Sequence, residues 1–196
     1  PHWVIGGPAS EGWTHDESLL GERAKQYPYL MVSNTPKWRC HSMFDDQPWT
    51  REINKVKGPD GYWYEAIWIN PADAAEKGIK NGGVVKVFND RGTILAGARV
   101  VERCIPRSVI MDHGSTSDPI ADRLDRGGNN NFINPQGTSS KNANGMAVTG
   151  FLVGIEKANL EELRAQYPEA FARSLDPAQY EPAYGPKLGA WVEGGM

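Results

Sequence analysis

Apolar residues along this chain fall mostly in short runs bounded by Gly, Pro, Asn or Asp, a pattern of strands rather than of long helices. The runs Tyr29–Ser33, Tyr64–Asn70, Val84–Phe88, Thr93–Val100, Ser108–His113 and Gly150–Ile155 are expected as strands. Asn34-Thr35-Pro36 closes the first, because proline removes a donor and fixes the turn. Asn89-Asp90-Arg91-Gly92 predicts a hairpin that pairs Val84–Phe88 with Thr93–Val100. Pro71–Lys77 reads as a short helix with Asn70 as N-cap, Pro71 at its first position and Gly78 at its end. Leu160–Ala165 reads as a second, amphipathic one. Short strands, few small helices and long Gly/Asn loops predict a mainly β fold closed into a barrel, not a doubly wound sheet.

Composition narrows the partners. With 196 residues the chain is long enough to bury a full core, and 39% hydrophobic against 23% charged residues with a formal charge of -3 describes a globular protein. Nothing resembles a basic stripe, so no nucleic-acid partner is expected. No apolar run approaches the roughly 18 residues of a membrane span, and a secretion signal is lacking, so membrane insertion is not expected. The compartment is read as cytoplasmic, with the periplasm as the alternative. Cys40 and Cys104, far apart and without CxxC or Cys/His spacing, are expected as two thiols, and the dispersed His2, His15, His41 and His113 form no local metal motif. Residues 1–26 read as a lead-in from a preceding domain, 27–165 as the barrel, and 166–196, rich in Pro, Gly and Tyr, as an extended tail.

The candidate chemistry lies in two loops. Asp125-Arg126-Gly127-Gly128-Asn129-Asn130-Asn131 and Thr138-Ser139-Ser140-Lys141-Asn142-Ala143-Asn144-Gly145 set amide donors and acceptors on backbone that bends tightly. That equipment grips a polar ligand, and equally makes a solvated surface loop. No GxGxxG or GxxxxGK[ST] cradle is present. Asp112-His113 is the local pair resembling an acid/base unit, but neighbours on a strand point to opposite faces, so it is read as structural. No catalytic residue and no metal ligand is nominated.

An ordered series of segments then carries a resemblance. Tyr27–Ser33, Pro36-Lys37-Trp38-Arg39-Cys40-His41-Ser42, Ile69–Ala74, Gly78–Gly82, Asn89–Gly92, Asp125–Asn129 and Leu152–Lys157 resemble the C-terminal dinucleotide-binding domain of the molybdopterin oxidoreductases, in the dimethyl sulfoxide reductase branch. The similarity spans about residues 27–157. It implies a six-stranded double-psi β-barrel, of the aspartate decarboxylase type, forming one wall of the site for a molybdenum or tungsten bis(molybdopterin guanine dinucleotide). Iron–sulfur clusters would lie elsewhere in the enzyme, since two cysteines cannot hold one. The implied partners are the remaining domains of the catalytic subunit, a small iron–sulfur subunit and a small-molecule substrate. Within the family the wording of Trp13–Trp68 is most similar to the large subunits of hydroxytransferases acting on trihydroxybenzenes, with sulfoxide or polysulfide reductases as the alternative.

The resemblance also implies site residues. Ser33, Asn34, Pro36, Trp38, Arg39, His41 and Ser42 would face phosphate or pterin, although Arg39 also suits a salt bridge. Asp73 would accept the guanine N–H pair, and Asn70 beside it also suits a plain cap, as Asp73 suits the helix dipole. Asn129, Asn130, Asn131 and Asn144 would meet pterin edges, and Lys141 a phosphate or solvent. Asn144 stands where the branch usually has Gln, Thr149 where it has Asn, and Arg107 where it has Gly. The aromatic stretch Trp49–Trp68 departs from the family and suits either the core or a contact to another domain. A different class of function, a free-standing barrel binding a protein or nucleotide, predicts ligand binding without partner domains.

Overall fold

The structure, a computed structural model, describes residues 19–135, 138–140, 143–146 and 148–173. In chain order it contains β1 (Tyr29–Asn34), α1 (Pro48–Asn54), β2 (Val56–Lys57), β3 (Trp63–Tyr64), β4 (Ala66–Ile69), α2 (Pro71–Glu76), β5 (Val84–Phe88), β6 (Thr93–Val100) and β7 (Ser108–Asp112). These are followed by β8 (Pro119–Ala121), β9 (Leu124–Asp125), β10 (Thr138–Ser140), β11 (Ala143–Met146), β12 (Phe151–Lys157), α3 (Leu160–Gln166) and α4 (Pro168–Ala172). Six strands pair in the order β4-β7-β1-β12-β5-β6, and β6 pairs back onto β4 to close a barrel. Closure leaves those strands no long free edge. The β1/β7 and β4/β6 pairs are parallel and the other ladders of the ring antiparallel, a double-psi barrel.

Alternation places the core. Tyr29 and Met31, Ile67 and Ile69, Val85 and Val87, Val109 and Met111, and Phe151 and Val153 are two apart on their strands and share one buried cluster inside the barrel. Residues of the opposite parity, Tyr64, Val84 and Leu95, form a second cluster outside it with Tyr62 and Leu163. Helices α3 and α4 cover this cluster through Leu160, Ala170 and Phe171. Such strands, buried on both faces, read as continuous apolar runs.

Local signals act as expected where the chain itself satisfies them. The Asn70 side chain accepts from Ala72 N–H at 2.9 Å, and Gly78 follows α2 at φ 64°. The β5/β6 hairpin pairs Phe88 with Thr93 across the expected loop, and both cysteines are free. Three readings change. The expected strand Tyr64–Asn70 is interrupted at Glu65, whose buried carboxylate points into a polar cluster rather than the sheet core. Helix α1 and the β8/β9 hairpin carry no strong periodic signal and go unread in the sequence. Pro168–Ala172, read as part of an extended tail, is helical and packs Phe171 on the second cluster, while residues 174–196 lie outside the described residues. Of the aromatic stretch, Tyr62 and Tyr64 belong to the core. Among the described residues no helix is long and apolar enough to cross a membrane.

The barrel has two distinct polar ends. Asn34 is paired with Asp112 in the parallel β1/β7 ladder, so the loops leaving both strands emerge together at one end. Ile69 is paired with Val109 in the antiparallel β4/β7 ladder, so Asn70 and α2 start at the other. From Arg107 to His113 the strand rise of ~3.3 Å per residue separates the two ends by about 20 Å.

Candidate functional site

A cavity of ≈ 320 Å³ opens at the Asn34/Asp112 end, between His41–Ser42, His113–Ser115, Asn129–Asn131 and Val148. Buried charges fix its three loops. The Arg39 guanidinium lies 3.2 Å from Asp45 Oδ1 and 3.1 Å from Glu65 Oε2, and it donates to the carbonyls of His41 at 2.9 Å and His113 at 3.1 Å. Lys55 Nζ lies 2.9 Å from Asp45 Oδ1 and 3.4 Å from Glu65 Oε2, and donates to Ser115 Oγ at 2.9 Å. Ser115 Oγ in turn donates to the Gly127 carbonyl at 2.6 Å, while Asp45 Oδ2 accepts Thr116 N–H at 2.7 Å. One lysine thus links the loops of residues 39–45, 113–118 and 125–131. Burial pushes its ammonium below the ordinary value, against the pull of Glu65 and Asp45. For Asp45 burial acts upward, but Lys55 and Arg39 prevail and hold the carboxyl below the usual range.

The asparagine loop is organised by a fully buried carboxylate. Asp125 accepts Asp118 N–H at 2.6 Å and Asn129 N–H at 2.8 Å, and burial raises its pKa above the usual value. Arg126 anchors the far side of the loop, pairing with Asp60 at 3.0 Å and stacking its guanidinium over Tyr62 and Phe171. Gly127 is obligatory, because a Cβ there would stand 2.0 Å from the Thr116 carbonyl oxygen. Asn129 Oδ1 accepts Asn131 N–H at 3.0 Å, and Asn130 Nδ2 donates to Ser33 Oγ at 2.7 Å, tying the loop to β1.

Facing these amides is a histidine pair. The rings of His41 and His113 stack with centroids 4.9 Å apart, and His113 Nε2 lies 2.9 Å from His41 Nδ1. His41 adopts φ 53° and rests on Gly114, where a Cβ would stand 2.3 Å from the His41 carbonyl carbon. Burial, then the neighbouring His41, lowers the His113 pKa from 6.5. His113 Nδ1 is buried and has no hydrogen-bond partner. Behind it Asn54 Nδ2 donates to both Glu65 Oε1 and Asp112 Oδ2 at 3.2 Å, and burial and Glu65 raise the Asp112 carboxyl.

Of the residues nominated from sequence, His41, Ser42, Asn129, Asn130 and Asn131 come together around the cavity, with Ser33 joined through Asn130. Asn34, exposed, contributes its carbonyl to His113 N–H at 3.0 Å, Pro36 is buried, and Trp38 is exposed away from the cavity lining. Arg39, expected to meet phosphate or pterin, has its guanidinium enclosed among protein carboxylates and carbonyls, the salt-bridge alternative. Asn70 and Asp73 stand at the far end. Asn70 caps α2 and donates to the Cys104 carbonyl, and Asp73 Oδ2 accepts Arg107 N–H at 2.7 Å. Arg107 holds φ 63° there, the left-handed backbone that explains the glycine usual at its position. Lys141 and the side chain of Asn144 lie outside the described residues.

His113, read from sequence as structural, lines the cavity with Gly114 and Ser115, which carry no local signal: His41 is 72 residues from His113, and strand pairing rather than spacing brings them together. Glu65 carried a usable signal, a lone charge between aromatic and aliphatic neighbours. Among the described residues no group of three or more His, Cys, Asp or Glu is placed to hold a metal ion.

The family model described as Molydopterin dinucleotide binding domain matches residues 29–149. The chain belongs to that family. Dimethyl sulfoxide/trimethylamine N-oxide reductase of Cereibacter sphaeroides is 35% identical over 76% of this chain and 18% of its own length. The large subunit of pyrogallol hydroxytransferase from Pelobacter acidigallici is 36% identical over 68% of this chain and 16% of its own. The branch is therefore that of dimethyl sulfoxide reductase, and the chain spans less than a fifth of the length of these relatives. Acetylene hydratase from Pelobacter acetylenicus shares the fold at TM-score 0.53 and 14% identity, over 74% of this chain and 22% of that one. The dinucleotide-binding domain thus presents its cavity where β1 and β7 end.

Proposed function

We propose that this domain forms one wall of a bis(molybdopterin guanine dinucleotide) site in a molybdenum or tungsten enzyme, with the cavity at the ends of β1 and β7 as its contact to the cofactor. The carrying observation is the convergence of His41, Ser42 and Asn129–Asn131 on one cavity from loops that the buried charges hold in place. The donor set fits. Amides, hydroxyls and imidazoles match heterocycle edges that alternate donors and acceptors, and His113 Nδ1, buried without a hydrogen-bond partner, leaves one hydrogen-bonding position unfilled at this wall. The metal of the bound cofactor would supply the redox or group-transfer chemistry. This chain's own part is to bind, orient and shield: Asn130 holds the loop on β1, Arg39 aligns the two histidine carbonyls, and Lys55 keeps the three loops in register. The Asn34 carbonyl holds the start of the His113 loop, while Asn70 and Asp73 stabilise the far end of the barrel.

For the whole enzyme the proposed reaction is hydroxyl transfer between trihydroxybenzenes, supported by the 36% identity to the pyrogallol enzyme. The second reading, reduction of an S- or N-oxide, is supported by 35% identity over a longer stretch. Further domains of the catalytic subunit and a small iron–sulfur subunit are the proposed partners. Elemental mass spectrometry and GMP release by acid hydrolysis of the intact native protein test the cofactor. The expected result is Mo or W with about two GMP per metal ion; protein with neither contradicts it. Turnover of pyrogallol against dimethyl sulfoxide then decides the reaction.

A further inference from the structure

None of the described residues lining the cavity is Lys or Arg. The nearby cations are spent: Arg39 on Asp45 and Glu65, Lys55 on the same two carboxylates. Among the described residues, the groups left to turn a positive charge toward an anion in this cavity are the imidazoles. Their geometry limits how many protons they hold. A 2.9 Å contact between His113 Nε2 and His41 Nδ1 needs one N–H and one lone pair, so the pair accommodates two or three protons, but not the four of two imidazolium rings. The charged groups facing His113 among the described residues are Arg39, which disfavours protonation, and Asp112, which favours it. The third proton brings an N–H to the buried, partnerless Nδ1 of His113 and a charge into a partly desolvated pair. A bound anion offsets that cost.

We propose that His41 and His113 act as one proton-binding unit that takes up a single shared proton when the cavity accepts an anionic group of the phosphate or sulfate class. Anion binding and proton uptake are then linked, each strengthening the other. The assignment rests on the proposed cofactor role only for the source of the anion, a cofactor pyrophosphate or a small free anion.

The test is an imidazole titration by NMR on the full chain, with inorganic sulfate, a dianion that does not itself titrate near neutrality, and with chloride at equal ionic strength. Sulfate is expected to raise the shared titration midpoint by at least about half a pH unit, equivalently to bind the protonated pair at least about threefold more tightly than the neutral one. Both rings should respond at the same midpoint, and His41→Gln should abolish the sulfate effect on His113 while circular dichroism shows the barrel intact. Independent titration of the two rings, or midpoints unmoved by sulfate, overturns the proposal. The same titration on enzyme purified with its nucleotide identifies the source. A midpoint already raised without sulfate assigns the anion to the cofactor, a retained sulfate response assigns it to a small free anion, and a midpoint that stays low in both overturns it.

Discussion

The two ends of β7 use similar residue types to opposite effect. At the far end, Asn70, Asp73, Cys104 and Arg107 satisfy one another: the amide caps α2, the carboxylate takes a backbone N–H, and the thiol donates to the Ser108 carbonyl at 3.0 Å. At the cavity end the polar groups hold loops apart around a space, and the charges that do so are buried behind it. The same Asn or Asp therefore builds a turn in one place and a binding wall in the other. What separates them is the second layer. Asp73 has one neighbouring loop to fix, whereas Lys55, Asp45 and Glu65 tie three.

Breaking that second layer should cost most. Lys55→Met leaves Asp45 and Glu65 buried with one cation fewer, and a loss of about 3–5 kcal/mol in urea unfolding is expected. Asp73→Asn at the far end removes one charge-assisted acceptor, with an expected loss of about 1–2 kcal/mol and unchanged imidazole resonances of His41 and His113. Equal losses at the two ends would erase the distinction.

A sharper version uses backbone alone. Gly114 and Gly78 both have positive φ, 85° and 64°, but a Cβ on Gly114 meets the His41 backbone at 2.3 Å while one on Gly78 meets nothing within 4 Å. Gly78→Ala should cost about 1 kcal/mol, the conformational strain by itself. Gly114→Ala should cost about 3 kcal/mol and displace His41, since carbonyl and Cβ cannot share that space. Thermal denaturation with the His41 imidazole shift as local reporter distinguishes them.

The smallest effect is on pH dependence. His113 is lowered below 6.5 in the folded chain, so the unfolded chain binds its proton more readily. Its contribution to stability is complete above that value and declines as the pH falls below it toward the folded pKa. His113→Gln should flatten this part of the stability profile, measured as denaturation midpoints at intervals from pH 7.5 downward. An unchanged slope would show that the pair carries no such load.

The sequence made the barrel legible through strands whose two faces are both buried, because Val84–Phe88 and Thr93–Val100 signal themselves and the loop between them allows one pairing. It made half of the site legible, since Asn129–Asn131 follow paired glycines that bend the backbone. The other half depends on the parallel β1/β7 ladder, which aligns Asn34 with Asp112 and so delivers His113 to His41. No local pattern encodes that pairing. Arg39 shows the converse, a residue whose motif suggested a ligand contact and whose surroundings, Asp45 and Glu65, are separated from it by loop and strand.

Cofactor content of two variants of the intact enzyme tests the difference between the ends most directly. Ser42→Trp fills the cavity from an exposed position, and Ala75→Trp places the same bulk on the exposed face of α2 at the far end. With both variants folded, GMP released by acid hydrolysis should fall severalfold for Ser42→Trp and stay at the wild-type level for Ala75→Trp. Loss of GMP from the Ala75→Trp enzyme with full retention by Ser42→Trp would contradict the account and return the ligand to the Asp73 end.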